Sequence, residues 1–268
     1  PQVIVDETPS ASPNWIQASQ NQTVTAGPIS QLAFTTPFRT VLAGINGTAP
    51  TYAITIETQD GSGNVSPVTS STKYVNLTSD SGAGQFSLDG SAWTMTNVSI
   101  PIDSSSASFH YRDTSSGIST RLTSAITSAD VSLTVASTSG FTSSGIITIE
   151  NEIINYSNID ATHFLGCTRG SNGGLTGAPN SIAAAHSLGA KISKPTKITA
   201  TQAGAYGWTS ANQVVTVTPG TIARFTVTHS GSTQVNSQTD ITTTGLDGYN
   251  NIVSGSWSPR RSCSRQRG

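Results

Sequence analysis

Residues 21–35 read NQTVTAGPISQLAFT, and residues 212–226 read NQVVTVTPGTIARFT. The offset is 191 with no gap. Asn21 matches Asn212, Gln22 matches Gln213, Val24 matches Val215, Thr25 matches Thr216, Pro28 matches Pro219 and Phe34 matches Phe225. Trp15 and Trp208 stand just upstream in similar places. Downstream, DGSGNV at 60–65 recurs as DGYNNI at 247–252, each after an alternating run, YAITIE at 52–57 and TDITTT at 239–244. Two matches in the same order define a long-period repeat, which governs how every local pattern is read. Residues 28–219 hold one complete unit. Residues 1–27 read as the end of a preceding unit or an N-terminal exchange strand, and residues 220–268 as a partial further unit with an irregular tail.

The composition suits strands and turns. There are 41 Ser, 40 Thr and 25 Gly among 268 residues, with 34% hydrophobic and 10% charged. Thr and Val favour strands, and Gly and Asn punctuate them. Leu, Glu and Lys are scarce, which argues against a coiled coil or helical bundle. No apolar run approaches the roughly 18 residues a spanning helix needs, so no membrane span is expected. The net charge of −1 hides four arginines, Arg260, Arg261, Arg265 and Arg267, near the end of the chain. Without them the body is mildly acidic and offers nucleic acid no basic surface.

Short strands are expected near 29–35, 39–43, 52–59, 73–78, 95–102, 106–112, 197–201 and 212–218. The turn signals Asp60-Gly61, Asp80-Ser81-Gly82 and Asp89-Gly90 separate several of them. Alternation in Ala107–Arg112 puts Phe109 and Tyr111 on one face and His110 on the other. Such a series of alternating strands reads as an all-β protein, a β-sandwich.

Four stretches carry a family resemblance: Gln31–Pro37, the strand ending in Gln59–Asn64, Ser108–Asp113 and Gln213–Gly220. In that order they resemble the immunoglobulin-like repeats of bacterial and archaeal surface proteins. The resemblance covers about residues 28–120 and 194–257. It implies an Ig-like β-sandwich over 28–120 plus 194–219, a structural or adhesive role, and no catalytic residues.

Residues 121–193 interrupt that unit. They contain VSLTV at 131–135, then GIITIENEIINY at 145–156, which reads as a hairpin turning at Glu150-Asn151. GCTRG at 166–170 and AAHSLGA at 184–190 follow. These segments resemble a small β module of phage structural proteins and large surface proteins.

No convergent catalytic set emerges. His163, His186, Glu150, Glu152 and Cys167 share the insert, but their spacing fits no tight metal motif. His186 follows three alanines and reads as a packing or turn residue. Two cysteines, Cys167 and Cys263, cannot make a four-thiolate zinc site. With so many serines, a Ser–His–Asp triad assembled on paper carries no weight, and no nucleophile elbow is present. The turns Asp60–Asn64 and Asp247–Asn251 have oxygens suited to calcium, but the simpler reading is an Asp that bonds its own backbone. No catalytic residue, metal or cofactor is therefore expected.

The expectation is a non-enzymatic extracellular structural or adhesive protein, a subunit of a surface filament. A virion component, such as a phage tail or capsid decoration protein, and a carbohydrate-binding accessory segment are the alternatives. The expected partner is the chain itself, arranged head-to-tail by strand addition or as a tandem array, with cell-surface or host glycans as further partners. Six sequons, at Asn21, Asn46, Asn64, Asn76, Asn97 and Asn155, are candidate glycosylation sites. The chain starts at Pro1 without a signal peptide, so a processed chain or a piece of a longer one is expected. After Ile252 the repeat calls for an alternating strand, yet SWSPRRSCSRQRG at 256–268 has none. This tail is expected not to be the native continuation. Mass spectrometry of native material checks this, and a peptide spanning Trp257 to Arg265 would overturn it.

Overall fold

The computed structural model describes residues 2–5, 18–21, 23–44, 53–229 and 241–253. Among these residues the chain is all-β, with strands and no helix. The irregular tail, Asn46, Trp15, Trp257 and Cys263 lie outside the described residues.

Among the described residues, strands β1 (Gln2–Val5) and β2 (Ala18–Asn21) pair only with each other, antiparallel. The complete unit begins with β3 (Gln31–Phe34), β4 (Arg39–Leu42), β5 (Ile54–Gln59) and β6 (Lys73–Ser79). It continues through β7 (Gly84–Ser87), β8 (Asn97–Ile100) and β9 (Ser106–Asp113). The insert supplies β10 (Ser119–Arg121), β11 (Ser132–Thr134), β12 (Gly145–Ile149) and β13 (Glu152–Tyr156). Its remaining strands are β14 (Asn158–Ile159), β15 (His163–Leu165) and β16 (Lys191–Ser193). The unit then closes with β17 (Thr196–Gln202) and β18 (Ala211–Thr218). A last hairpin joins β19 (Ile222–His229) to β20 (Ile241–Asp247).

Two sheets share the main core. One has the order β4-β18-β17-β6-β8, the other β3-β5-β9-β7. Every second residue of their strands turns inward: Ile54 and Ile56, Val75 and Leu77, Val98 and Ile100, Ile198 and Ala200, Val215 and Val217. Period-two alternation lets a polar chain fill a core from one face of each sheet. Phe109 stands edge-on to both Phe34, at 6.5 Å between centroids, and Phe86, at 5.8 Å. Such edge contacts add about 0.5–1.5 kcal/mol each beyond the area they bury.

Each expected strand overlaps an observed one. Strand β7 lies outside the expected strands: Phe86 is its one large apolar residue, and a single apolar residue makes no alternating pattern. The parallel pairing of β4 with β18, Arg39 beside Val215, joins segments far apart in the chain. Strands β9 and β17 flank the insert but belong to opposite sheets.

The insert has its own core, built on Leu133, Ile147, Ile149, Ile154, Phe164 and Ile192 among others. It is also seated on the sandwich. A third cluster joins Ile153 and Leu175 of the insert to Val214, with Phe38 packed against it. The Phe34 N–H donates to the Gly177 carbonyl at 2.7 Å, and the Asn212 N–H donates to the Thr176 carbonyl at 2.8 Å. The Thr148 and Thr216 hydroxyls bond each other at 2.6 Å. Loop Thr176–Gly177 thus lies between β3 and β18, the strands at one side of the sandwich, and occupies main-chain groups there that would otherwise invite another strand.

The last hairpin repeats sequence but not burial. Phe34 is 3% exposed, whereas Phe225, its match, is 52% exposed and Val227 is 64% exposed. Phe34 lies opposite Ile56, while Phe225 lies opposite Gly245. Segment 18–21 likewise matches the start of the closing strand, but β18 is flanked by β17 and β4 and β2 has only β1.

Gly177 tests how firmly the loop is seated. Its φ is +66°, and a Cβ added there would fall 2.6 Å from the Leu32 carbonyl oxygen. Gly177→Ala is expected to cost about 1–2 kcal/mol for the left-handed backbone alone, more with the clash. Chemical denaturation reads this, and a loss under about 0.5 kcal/mol, the range of ordinary surface changes, would mean the loop is not held there.

Candidate functional site

The insert's charged residues meet at one point. Hairpin β12–β13 turns at Glu150-Asn151, as the Ile149–Glu152 pairing requires. Alternation along β13 turns Glu152 inward, where its side chain is 1% exposed. A carboxylate so placed needs donors on every side. Arg169 supplies two: Nε to Oε1 at 2.7 Å and Nη2 to Oε2 at 2.8 Å. The Gly170 N–H adds a bond of 3.0 Å, the Ala184 N–H one of 3.2 Å, and His186 Nε2 lies 2.8 Å from Oε2. Arg169 spends its other donors on the Thr127, Asp130 and Ala184 carbonyls, at 2.7, 3.4 and 2.6 Å.

His186 is therefore not the simple packing residue expected from its alanine neighbours. It is buried, with its Nδ1 3.3 Å from Glu150 and its Nε2 on Glu152. With the turn at 150–151, strand alternation alone would not bring both carboxylates to one ring. Glu150 adopts φ +51°, which leaves the strand geometry and swings its side chain to His186. His163 and Cys167 are not part of this group. His163 pairs with Asp160 at 2.9 Å, and the Cys167 thiol is buried against the Phe164 carbonyl, its pKa pushed up to about 11 by that burial. Arg169 was the member that sequence reading missed. The available signal was a buried position for Glu152 in a module with few cations.

A cleft of about 530 Å³ opens beside the group, lined by Phe38, Glu150, Asn180, Ile182 and His186 among others. Glu152 accepts from five donors and has no oxygen left over to take a proton from a substrate or to ligate an ion. Its chemistry is to tie β13, the Arg169 loop and the His186 segment together. Among the described residues no set of three His, Cys, Asp or Glu side chains is arranged to hold a metal ion.

The second locus is the duplicated Asp turn. Asp60 Oδ1 accepts the N–H groups of Ser62 and Asn64, each at 2.9 Å, and Oδ2 accepts the Gly27 N–H at 2.9 Å. Asp247 Oδ1 accepts those of Tyr249 and Asn251, each at 2.9 Å, and Oδ2 accepts the Gly220 N–H at 2.9 Å. Gly63 and Asn250 hold the same left-handed position, φ +83° and +70°. Both carboxylates are thus engaged in the self-bonding turn read from the sequence. The Asn64 side-chain bond and the Gly27 N–H hold Asp60 well below the usual carboxylate range. At Asp247 burial pushes upward, and the bonds from Asn251 and Gly220 outweigh it.

Five of the sequons lie on described residues. Asn21, Asn64, Asn76, Asn97 and Asn155 are all exposed, four of them within strands, because alternation turns neighbours such as Val75, Leu77 and Val98 inward instead. Asn76 and Asn97 sit directly opposite each other on β6 and β8. Trp208 is buried beside Tyr206, at 4.8 Å between centroids, and Arg112 lies over the Trp93 ring at 4.5 Å. These two tryptophans serve packing rather than an open platform. No family model, no curated protein and no solved structure matches the chain.

The hub predicts both a mutational and a pH response. Burial pushes the Glu152 pKa up, but the bonds from Arg169 and His186 bring it below the ordinary value. The stability it contributes is present above that ordinary value and is lost as pH falls through the lowered one. Glu152→Gln leaves Arg169 buried without its counter-charge and is expected to cost about 3–5 kcal/mol at neutral pH. Urea unfolding at pH 7 and pH 3 checks this: the gap between wild type and variant should narrow at the lower pH. A constant gap would remove the charge from the explanation.

Proposed function

We propose that the chain is a non-enzymatic structural protein, a stretch of a tandem array of Ig-like sandwiches in an extracellular filament or fibre. The observation that carries this reading is the duplicated Asp turn. The same carboxylate geometry pins Gly27, before the central sandwich, and Gly220, after it. A device that recurs at both junctions belongs to how units are joined rather than to a reaction. The hydroxyl-rich surface and the saturated Glu152 hub support the same reading. The insert braces the side of the sandwich and carries no chemistry of its own.

Strand exchange between copies is the less economical form of assembly. It would have to detach β1 from β2, whereas a tandem array leaves both junctions as they stand.

Electron microscopy of the native source with an antibody against the chain tests the proposal. Labelled fibres anchored at a cell surface are the expected result. Label confined to particles would move the chain to the virion alternative. A saccharide bound in the low micromolar range, without fibres, would favour the carbohydrate-binding one. Mass spectrometry of the same material should find added mass on at least one of Asn21, Asn46, Asn64, Asn76, Asn97 and Asn155. Unmodified peptides across all six would remove the glycoprotein part of the reading.

A further inference from the structure

The junction at the far end of the sandwich is a built contact, not a bare linker. Beyond its own turn, Asn251 reaches the preceding unit twice. Its Nδ2–H donates to the Thr114 carbonyl at 2.9 Å, and its Oδ1 accepts the Ser116 N–H at 2.8 Å. Beside it, Gly44 has φ +71°, and a Cβ there would fall 1.8 Å from Tyr249 Cε2, so the ring lies against bare backbone. The Gly44 N–H is itself held by the Asp113 carbonyl at 2.7 Å, which fixes the two halves of this end face to each other. One unit therefore offers Gly44 and the turn Thr114–Ser116, and the next offers the loop that follows its Asp.

At the near end of the sandwich only the second half of that contact is present. Asp60, Gly63 and Asn64 reproduce the geometry of Asp247, Asn250 and Asn251. Ser62 stands in the place of Tyr249. Among the described residues, the hydrogen bonds of the Asn64 amide stay within its own loop, on Asp60 at 3.0 and 3.3 Å. The loop is exposed from Gly61 to Val65.

We infer that loop Gly61–Val65 is a docking surface, and that its partner is the end face of another sandwich placed directly before this one along the same polypeptide. That face has the character of Gly44 and Thr114–Ser116: a bare glycine against which a loop can lie, beside a carbonyl and an N–H spaced to receive one amide. The segment 18–27 stands to this partner as 211–220 stands to the central unit: both end on the pinned glycine, two places away from the 191-residue register of the flanking sequence. Its last residue, Gly27, is already pinned by Asp60 as Gly220 is pinned by Asp247. The inference rests on the tandem reading, but its test is carried out in solution and does not depend on where the protein resides.

The test uses two proteins. In the chain as it is, Asn251→Ala should raise the hydrogen-exchange rate of the Ser116 N–H at least tenfold. The second protein joins residues 1–220 directly to residues 28–268. The second copy of the unit then stands where the β19–β20 hairpin stands now. In it the Ser116 N–H of the first copy should be protected, and Asn64→Ala in the second copy should raise its exchange at least tenfold. Near-ultraviolet circular dichroism shows whether each variant retains its packing, and Asn64→Gln provides a second amide of different reach. Protection lost with Asn251→Ala but indifferent to Asn64→Ala in the fused protein would overturn the inference while leaving the tandem reading standing. A Ser116 N–H that exchanges freely in the fused protein would overturn it too.

Discussion

Asp247 accepts three main-chain N–H groups, two from its own turn and one from Gly220, at the foot of the strand it follows in space. Asp60 does the same with Gly27. A carboxylate bonded to several backbone N–H groups fixes their relative positions far more tightly than apolar contact would, because each bond is charge-assisted and directional. In a chain with 34% hydrophobic residues, such directional contacts set what the small core cannot. The core holds each sheet pair together. The two aspartates pin the chain where it enters the sandwich and where it leaves it.

The insert repeats this economy on a larger scale. Glu152 gathers Arg169, Gly170, Ala184 and His186 around one buried charge. Arg169 in turn holds carbonyls of the Thr127 and Ala184 segments. The Gly-rich loop that starts at Gly170 is thereby fixed at its base, and its far part, Thr176–Gly177, meets β3 and β18. A loop seated only by two backbone bonds would fray. Anchoring it to a buried ion pair makes the contact with the sandwich worth keeping. The physical links run from Glu152 through the loop to the sandwich, so the insert is a brace rather than an ornament on a surface turn.

Much of this was legible in the letters. Strands with regular alternation, such as Ile54–Gln59 and Lys73–Ser79, announce their inward face. The DG turns announce their geometry through Asp and Gly. What was not legible depended on partners distant in sequence. Strand β7 has one large apolar side chain, and only its pairing with β9 makes it a strand. Arg169 looks like a surface cation until Glu152 is seen to be buried opposite it. Glu150 leaves its strand because of one left-handed residue, which no alternation rule foretells. The matched pair Phe34 and Phe225 makes the same point most directly. Each stands six residues after a proline and just before a threonine, yet one is enclosed and the other half-exposed, because burial belongs to the neighbours a strand finds and not to the strand.

In the proposed tandem array the placement of the insert would bear on how tension is carried. Tension along such an array enters the unit just before β3 and leaves it just after β18. Strand β3 meets the segment just before β18 through a parallel bridge between Gln31 and Thr209, with the Leu32 N–H donating to the Thr209 carbonyl and the Thr209 N–H to the Ser30 carbonyl, each bond 2.8–2.9 Å long. Strands that run parallel and are pulled from opposite ends slide past each other. Their bonds are then loaded together rather than opened one after another. Thr176–Gly177 bonds β3 on one side and β18 on the other, a few residues further along the same seam. Under such tension it would add its two bonds to those of the seam, with the Glu152 hub holding the base of the loop. The seam between the terminal strands, the loop that lengthens it and the buried charge behind that loop form one continuous path of directional contacts. In the proposed array, a sandwich with a modest apolar core would draw resistance to stretching from that path.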